Sequence, residues 1–516
     1  MHLRSWLPIL LTASTAGCSS YSLSDPGDRS GGTGTFPAED GDFTGTAPPE
    51  SEEDVRLLAP AQTDVYVFVA NPERDTITRV HVPTLSVDTT SVGSEPRLVQ
   101  TTPDYRTAVV FNRGDDSVTL VDAETLDKTT VDVRSHLNEL VLSPDGSHAV
   151  LWHNAAREED DDPVPGGLQS FNEVSFVRVE TGEHFPMAVG FNPRMVRFTP
   201  DSSLAVVVAD AYLATIDLTA ETLQAKLIEL VPELVDPPVA EEVIVAADGS
   251  FAWVRQFGAT ELLVVDLLTG GINTLPAGDN PTDLDLSADG TEAIAVARGS
   301  RELWIYEADA PQLPPRVLSL PQGAPYGSLL MDPSGDQGIL YTTASLVEQF
   351  AVWDRATDEI RERSLVKPVD GVAINPTGES LLVFHTLEDG LNTEPVFSGS
   401  WALTLVALDD LRSNPLLLPA EPTGYAHGTD GAWGFFVMEE RPYLEVLDYH
   451  TQLHTELTLR SLPSFVGVLP DLDPGDGDSP PAWISQQHEL GRISFYDPDE
   501  QSLETLTGFE LNSEIE

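Results

Sequence analysis

One turn recurs along most of this 516-residue chain, and it limits the possible folds more than any other feature. A short apolar run leads into four residues of the form Ser/Thr-Pro-Asp-Gly, and a second apolar run follows. The series reads Thr102-Pro103-Asp104-Tyr105, Ser143-Pro144-Asp145-Gly146, Thr199-Pro200-Asp201-Ser202, Ala246-Ala247-Asp248-Gly249 and Ser287-Ala288-Asp289-Gly290. It continues with Asp332-Pro333-Ser334-Gly335, Asn375-Pro376-Thr377-Gly378 and Gly428-Thr429-Asp430-Gly431. Proline presets φ for a turn, aspartate closes it through its side chain, and glycine accepts a positive φ. Successive turns lie 41 to 56 residues apart.

A second register runs in step with the first. Val118-Thr119-Leu120-Val121-Asp122, Ala214-Thr215-Ile216-Asp217, Leu262-Leu263-Val264-Val265-Asp266 and Phe350-Ala351-Val352-Trp353-Asp354 each end in aspartate before another turn. Leu444-Glu445-Val446-Leu447-Asp448 and Ile493-Ser494-Phe495-Tyr496-Asp497 continue this series. Short Val-, Leu- and Thr-rich runs bounded by turns read as strands. A four-stranded unit of about 40–45 residues is the blade period of a β-propeller. One such unit cannot bury both of its faces alone, so the units must stack, and a ring leaves only short protected edges. The expected fold is therefore all-β, a propeller of four-stranded antiparallel blades.

Units are expected to begin near Asp54, Glu95, His136, Pro193, Val239, Pro281, Tyr326, Val369, Thr423 and Pro463, ten in all. The first lacks the Pro-Asp-Gly turn between Val55-Arg56-Leu57-Leu58 and Val65. A single enlarged ring is the first expectation, because no linker interrupts the array. Two smaller rings, or a seven- or eight-bladed ring with extra strands, are the alternatives.

Residues 65–154 contain Val65-Tyr66-Val67-Phe68-Val69-Ala70-Asn71, Val92-Gly93-Ser94-Glu95-Pro96 and Leu142-Ser143-Pro144-Asp145-Gly146. This stretch resembles the YVTN-type propeller repeat, which is related to the lactonase-like and WD40-like propellers. The resemblance extends, weakening, across the body, and it specifies fold better than activity.

The ends of the chain read differently. Met1-His2-Leu3-Arg4 is a short basic start, and the apolar stretch Trp6 to Ala16 is too short to span a bilayer. Thr15-Ala16-Gly17-Cys18 resembles a bacterial lipobox, with Thr15 where an apolar residue is usual, so Cys18 is the expected lipidation site. It is the one cysteine of the chain and has no partner for an internal disulfide. Residues 1–17 are then a signal peptide, and 18–52, rich in Ser, Gly, Asp and Pro, a flexible tether. The propeller is expected over 53–511, with 512–516 as a tail. Ser19 is not the aspartate that resembles an inner-membrane retention signal, which favours the outer membrane of the cell envelope.

There are 84 acidic residues against 27 basic ones, a formal charge of −57. That balance argues against nucleic acid and against anionic lipid faces, both of which need a basic surface. It is compatible with solubility, cation binding or basic partners.

In a propeller the loop after each second strand shares a face with the loop joining consecutive blades. The second-strand ends are polar: Asn71, Asn112-Arg113, His153-Asn154, Asp210, Arg255, Arg298, Thr342, His385, Glu439 and Gln486-His488. Of these, Arg113, His153, Asp210, Arg255, Arg298, His385 and Glu439 are the candidate ligand-binding residues of a channel mouth. Three guanidinium groups there could hold a carboxylate or phosphate. The competing reading is that strand ends turn polar where they meet water. Insertions at 155–171 and 387–399 fall in the same loop class. A third, Pro470 to Ser479, belongs to the opposite face. Its Asp471, Asp473, Asp476 and Asp478 could supply oxygen ligands to Ca²⁺, although the spacing is not that of an EF-hand.

No His-Glu-x-x-His, Gly-x-Ser-x-Gly or phosphate-loop motif is present. The first functional expectation is a non-catalytic, lipid-anchored platform that binds a protein or glycan of the cell envelope. The alternative is a lactonase-like hydrolase, which would need Asp210, Glu439, His153 and His385 to converge at the central channel.

Overall fold

A computed structural model describes residues 60–155, 171–230, 240–256, 258–471, 478–488 and 490–509. It is a ten-bladed propeller: ten sheets, each of four antiparallel strands. Blade 1 comprises Ala61–Gln62, Tyr66–Asn71, Thr76–His81 and Ser86–Ser91. The remaining blades begin at Pro96, Glu139, Met195, Ala240, Pro281, Ser328, Val369, Pro422 and Pro463. These nine starts lie within three residues of those expected from the repeat. The first differs, since its innermost strand is Ala61–Gln62, and the expected Val55–Leu58 run lies outside the described residues. The described helical content is a single 3-10 turn, Pro72–Arg74.

Sequence patterning sets which strand lies where. Second strands such as Leu204–Val208 and third strands such as Ala402–Ala407 are almost wholly apolar and buried along their length. They are covered on both faces, as continuous apolar runs require. Fourth strands such as Lys128–Asp132 and His454–Thr458 are largely exposed and form the outer rim. First strands of neighbouring blades touch one another around the axis.

Among the described residues, ten apolar clusters hold the ring, one at each seam. Phe68 and Ile77 of blade 1 pack on Val99, Ala108 and Val110 of blade 2. The pattern continues blade by blade to the last pair. The circle is then closed by Val67 and Val80 of blade 1 against Trp483, Ile493 and Phe495 of blade 10. Each fully buried Val, Leu or Phe side chain contributes about 1.5–3 kcal/mol.

The repeated turns also stack around the ring. Gly146, with φ +72°, stands so close to the preceding blade that a Cβ would lie 2.7 Å from Pro103 Cδ. Gly290 repeats this against Ala247 at 2.6 Å. The same turn position carries Ser202 at φ +56°, whose hydroxyl accepts the Asp145 N–H of the neighbouring blade at 3.0 Å.

The innermost strands present open backbone edges, and side chains meet some of those groups across the seams. Gln100 Nε2 donates to Leu140 O at 3.0 Å, Arg197 Nε to Val243 O at 3.0 Å, and Thr282 Oγ1 to Gly327 O at 2.6 Å. Four innermost strands open on proline, at Pro96, Pro281, Pro422 and Pro463, with a register shift directly after it. A missing N–H is tolerated at the first residue of an edge strand.

Among the described residues every sheet takes its four strands consecutively, and none is shared between the two ends of the ring. Gln62 is the main polar tie at that seam. Its Nε2 donates to Val468 O at 2.7 Å, and its Oε1 accepts the buried Trp483 indole N–H at 2.5 Å. Gln62→Ala strands that indole donor and should cost about 1–3 kcal/mol. The check is chemical denaturation of Gln62→Ala, Trp483→Phe and the double variant. Sub-additive losses are expected, and fully additive ones would dismiss the tie.

Candidate functional site

The loops after the second strands and the blade-to-blade connections are bonded to one another, so they form one face. Arg113 N donates to Glu95 O (3.0 Å), Asp210 N to Phe191 O (3.1 Å), Arg298 N to Asn280 O (3.1 Å) and Glu439 N to Glu421 O (2.8 Å). This ladder makes the mouth of the ring a stiff rim.

Many polar side chains at the second-strand ends turn back into their own blades. Asn71 Nδ2 donates to Thr76 and Thr78, and Asn112 Nδ2 to Ser117 and Thr119, at 2.9–3.0 Å. The chain of hydroxyls continues to Thr89 and Thr130 on the fourth strands. Gln486 bonds Ser494, which meets Thr505. His385 fills the same place in blade 8: Nδ1 lies 3.0 Å from Pro368 O and Nε2 2.7 Å from Thr404 Oγ1. Its side chain is buried, and burial pushes its pKa down to about 4. This position is thus a buried hydrogen-bond hub linking strands two, three and four.

The three arginines do not come to one place, although Arg255 and Arg298 lie on neighbouring blades. Arg113 lies on blade 2, Arg255 on blade 5 and Arg298 on blade 6, so the ring sets the first far from the last. Arg255 pairs with Glu242 at 2.8 Å, and Arg298 is 4% exposed. His385 and Glu439 lie on blades 8 and 9, across the ring from His153 and Asp210 on blades 3 and 4. Glu439 is exposed. Among the described residues, no three His, Cys, Asp or Glu side chains stand close enough to share a metal ion.

His153 and Asp210 come to neighbouring blades together with residues the sequence had not singled out. His153 Nδ1 lies 2.9 Å from His136 O, and its ring meets Phe171 edge-on at 5.0 Å. Phe171 lies 6.1 Å from Phe191, which is 56% exposed. The Asp210 carboxylate is held by Asn192 Nδ2 and Arg194 Nε, each at 3.0 Å on Oδ1. Phe191 is fixed between Gly190 (φ +110°) and Asn192 (φ +56°), whose N–H donates to Phe171 O at 2.5 Å. A large aromatic between two turn residues, Gly190-Phe191-Asn192-Pro193, was the available signal. Residues 156–170 of the first insertion lie outside the described residues.

On the opposite face, a cleft of about 510 Å³ follows the seam between blades 10 and 1. Asp471 and Asp478 line it with Asp497, Glu500, Leu85 and Phe495, while Asp473 and Asp476 lie outside the described residues. The Asp497 carboxylate accepts the N–H groups of Asp499 and Glu500 at 2.9 Å.

No protein-family model matches the chain, and no curated protein is significantly similar to it. Solved structures do match. A crystal structure of a eukaryotic initiation factor is 12% identical, with a TM-score of 0.50 over 74% of this chain and 94% of that one. Dihydro-heme d1 dehydrogenase NirN in complex with DHE is 16% identical, with a TM-score of 0.43 over 69% and 73% of the two chains. The β-propeller domain of Myceliophteria thermophila Cps50 (Swd1) is 14% identical, with a TM-score of 0.34 over 61% and 94%. At 12% identity the likeness to the initiation factor reaches the fold and no further.

The buried His385 makes the ring acid-sensitive. The unfolded chain takes up a proton near the ordinary histidine pKa of about 6.5, whereas folded His385 resists it to about 4. Folding is therefore unaffected by this group above pH 6.5 and loses stability as pH falls toward 4, by about 3 kcal/mol in all. His385→Asn, the residue that blades 1 and 2 use at this place, should reduce the dependence between pH 7 and 4.5 by roughly half, because burial holds the His427 pKa at about 4 as well. Denaturation midpoints measured across that range check it.

Proposed function

We propose that this protein is a binding platform of the cell envelope whose mouth face recognises a protein or glycan partner. The observation that carries this reading is the exposed Phe191, fixed beside a carboxylate already oriented by Asn192 and Arg194. An exposed aromatic on a stiff frame offers contact area at little ordering cost, and the neighbouring carboxylate supplies direction. Functional side chains on loops held by a rigid scaffold are the usual arrangement. The YVTN-type, lactonase-like relationship read from the repeat belongs to the same proposal.

In this reading Cys18 carries the lipid, residues 18–52 form the tether, and the outer membrane is the address. Arg113, Arg255, His153 and Glu439 contribute at the mouth through their place on the rim, while the buried Arg298 and His385 support it from within. The Asp471–Asp478 loop would take any Ca²⁺, beside the cleft on the other face. Nothing in the described geometry favours the hydrolase alternative as a second proposal.

Two measurements test this. Cys18→Ser should move the protein from the membrane fraction to the soluble one and abolish incorporation of labelled fatty acid; continued membrane association would remove the anchor. Native-envelope pull-down and glycan-array binding should both be compared between wild type, Phe191→Ser and a variant lacking residues 156–170. Loss of capture in either variant supports the mouth face, and undiminished capture in both rejects it.

A further inference from the structure

The loop between the second and third strands of blade 8, residues 386–401, is held by two buried charges, those of Lys367 and Glu348. Lys367 has a fully buried side chain, and its ammonium donates to Asp389 Oδ1 at 2.5 Å and to Leu387 O at 3.2 Å. That ammonium, with the Ser398 hydroxyl and the Gly399 N–H, draws the Asp389 pKa down to about 2. Asp389 thereby ties the start of the loop to its end. From blade 7, the buried Glu348 accepts the Asn392 N–H at 2.8 Å and the Thr393 hydroxyl at 3.3 Å. Phe397 is buried against Val366 and Ala402.

Burying an ammonium is costly unless it is closely paired, and a solvent loop has no need of it. What the anchors achieve is a fixed display. Leu391 is 84% exposed, Val396 67% and Leu387 45%. Leu346, 43% exposed, stands beside them, because its carbonyl packs against Gly390. Single exposed apolar side chains are ordinary, but three leucines and a valine on two adjoining loops form a patch. The charges among them are the exposed Glu388 and Glu394 with Asp389, which Lys367 pairs, and the loop itself contains no Lys or Arg.

We propose that this patch docks a protein segment presenting apolar side chains flanked by Lys or Arg. Charge selects that occupant. A chain of −57 with glutamates around the patch repels a second copy of itself and an anionic membrane, and attracts a cationic segment. The pinned loop has little left to order on binding. The proposal shares the mouth face with the preceding one but not its residues.

Fluorescence anisotropy of labelled peptides on the full chain tests it. A short amphipathic Leu/Lys peptide should bind wild type roughly tenfold or more tightly than a Ser/Lys peptide of equal charge. Leu391→Ser with Val396→Ser, both exposed and so harmless to folding, should erase that difference. Glu388→Gln with Glu394→Gln should weaken binding and flatten its salt dependence, while Phe191→Ser leaves it intact. Equal binding of the two peptides, a preference that survives the Leu391/Val396 change, or one that Phe191→Ser abolishes would overturn the proposal. So would sedimentation showing self-association that the Leu391/Val396 change removes, since the occupant would then be a second copy.

Discussion

The structure depends on the burial of flat apolar faces between neighbouring blades. A single four-stranded sheet here has two such faces, carried mainly by its second and third strands, and a neighbour on one side covers only one. The need for cover is passed from blade to blade until Val67 and Val80 meet Trp483 and Phe495. The turn glycines and prolines follow from the same requirement, because adjacent turns come into contact when the faces do.

The polar residues inside the ring serve that packing. Asn71, Asn112 and Gln486 tie strands two to four through buried hydroxyls, and His385 ties strand two to strand three. Part of the acidic surplus is used in the same way. Asp122 accepts the Thr125 N–H, the Thr125 hydroxyl and the Glu124 N–H, and the Thr125 N–H above all holds its pKa below the usual carboxylate range. Such carboxylates are fasteners of turns, and the charge they add to the surface comes with that role.

The architecture was legible because turn chemistry and strand patterning are local. Pro-Asp-Gly turns and Asp-terminated third strands kept the same period, and that placed nine blade starts closely. Blade 1 was misplaced because its innermost strand is two residues long and carries no turn of the repeat. The rim was less legible. Polarity at the second-strand ends was correctly noticed, yet polarity alone does not say whether a side chain faces a ligand or its own blade. Asn112 and His385 turn inward because hydroxyls wait on the third strand one register away. The apolar side chains that do face outward, Phe191 and Leu391, sit in connections where no periodicity marks them.

The unbroken run of four consecutive strands in every sheet gives the ring an unusual freedom of circumference. Where a propeller weaves its first and last segments into one sheet, the number of blades is locked by a hydrogen-bond ladder that spans both ends. Among the described residues the join is made by side chains, so a whole repeat could be gained or lost by duplication or deletion without cutting any of the ten ladders described. A perimeter of ten is a natural product of such growth by unit steps.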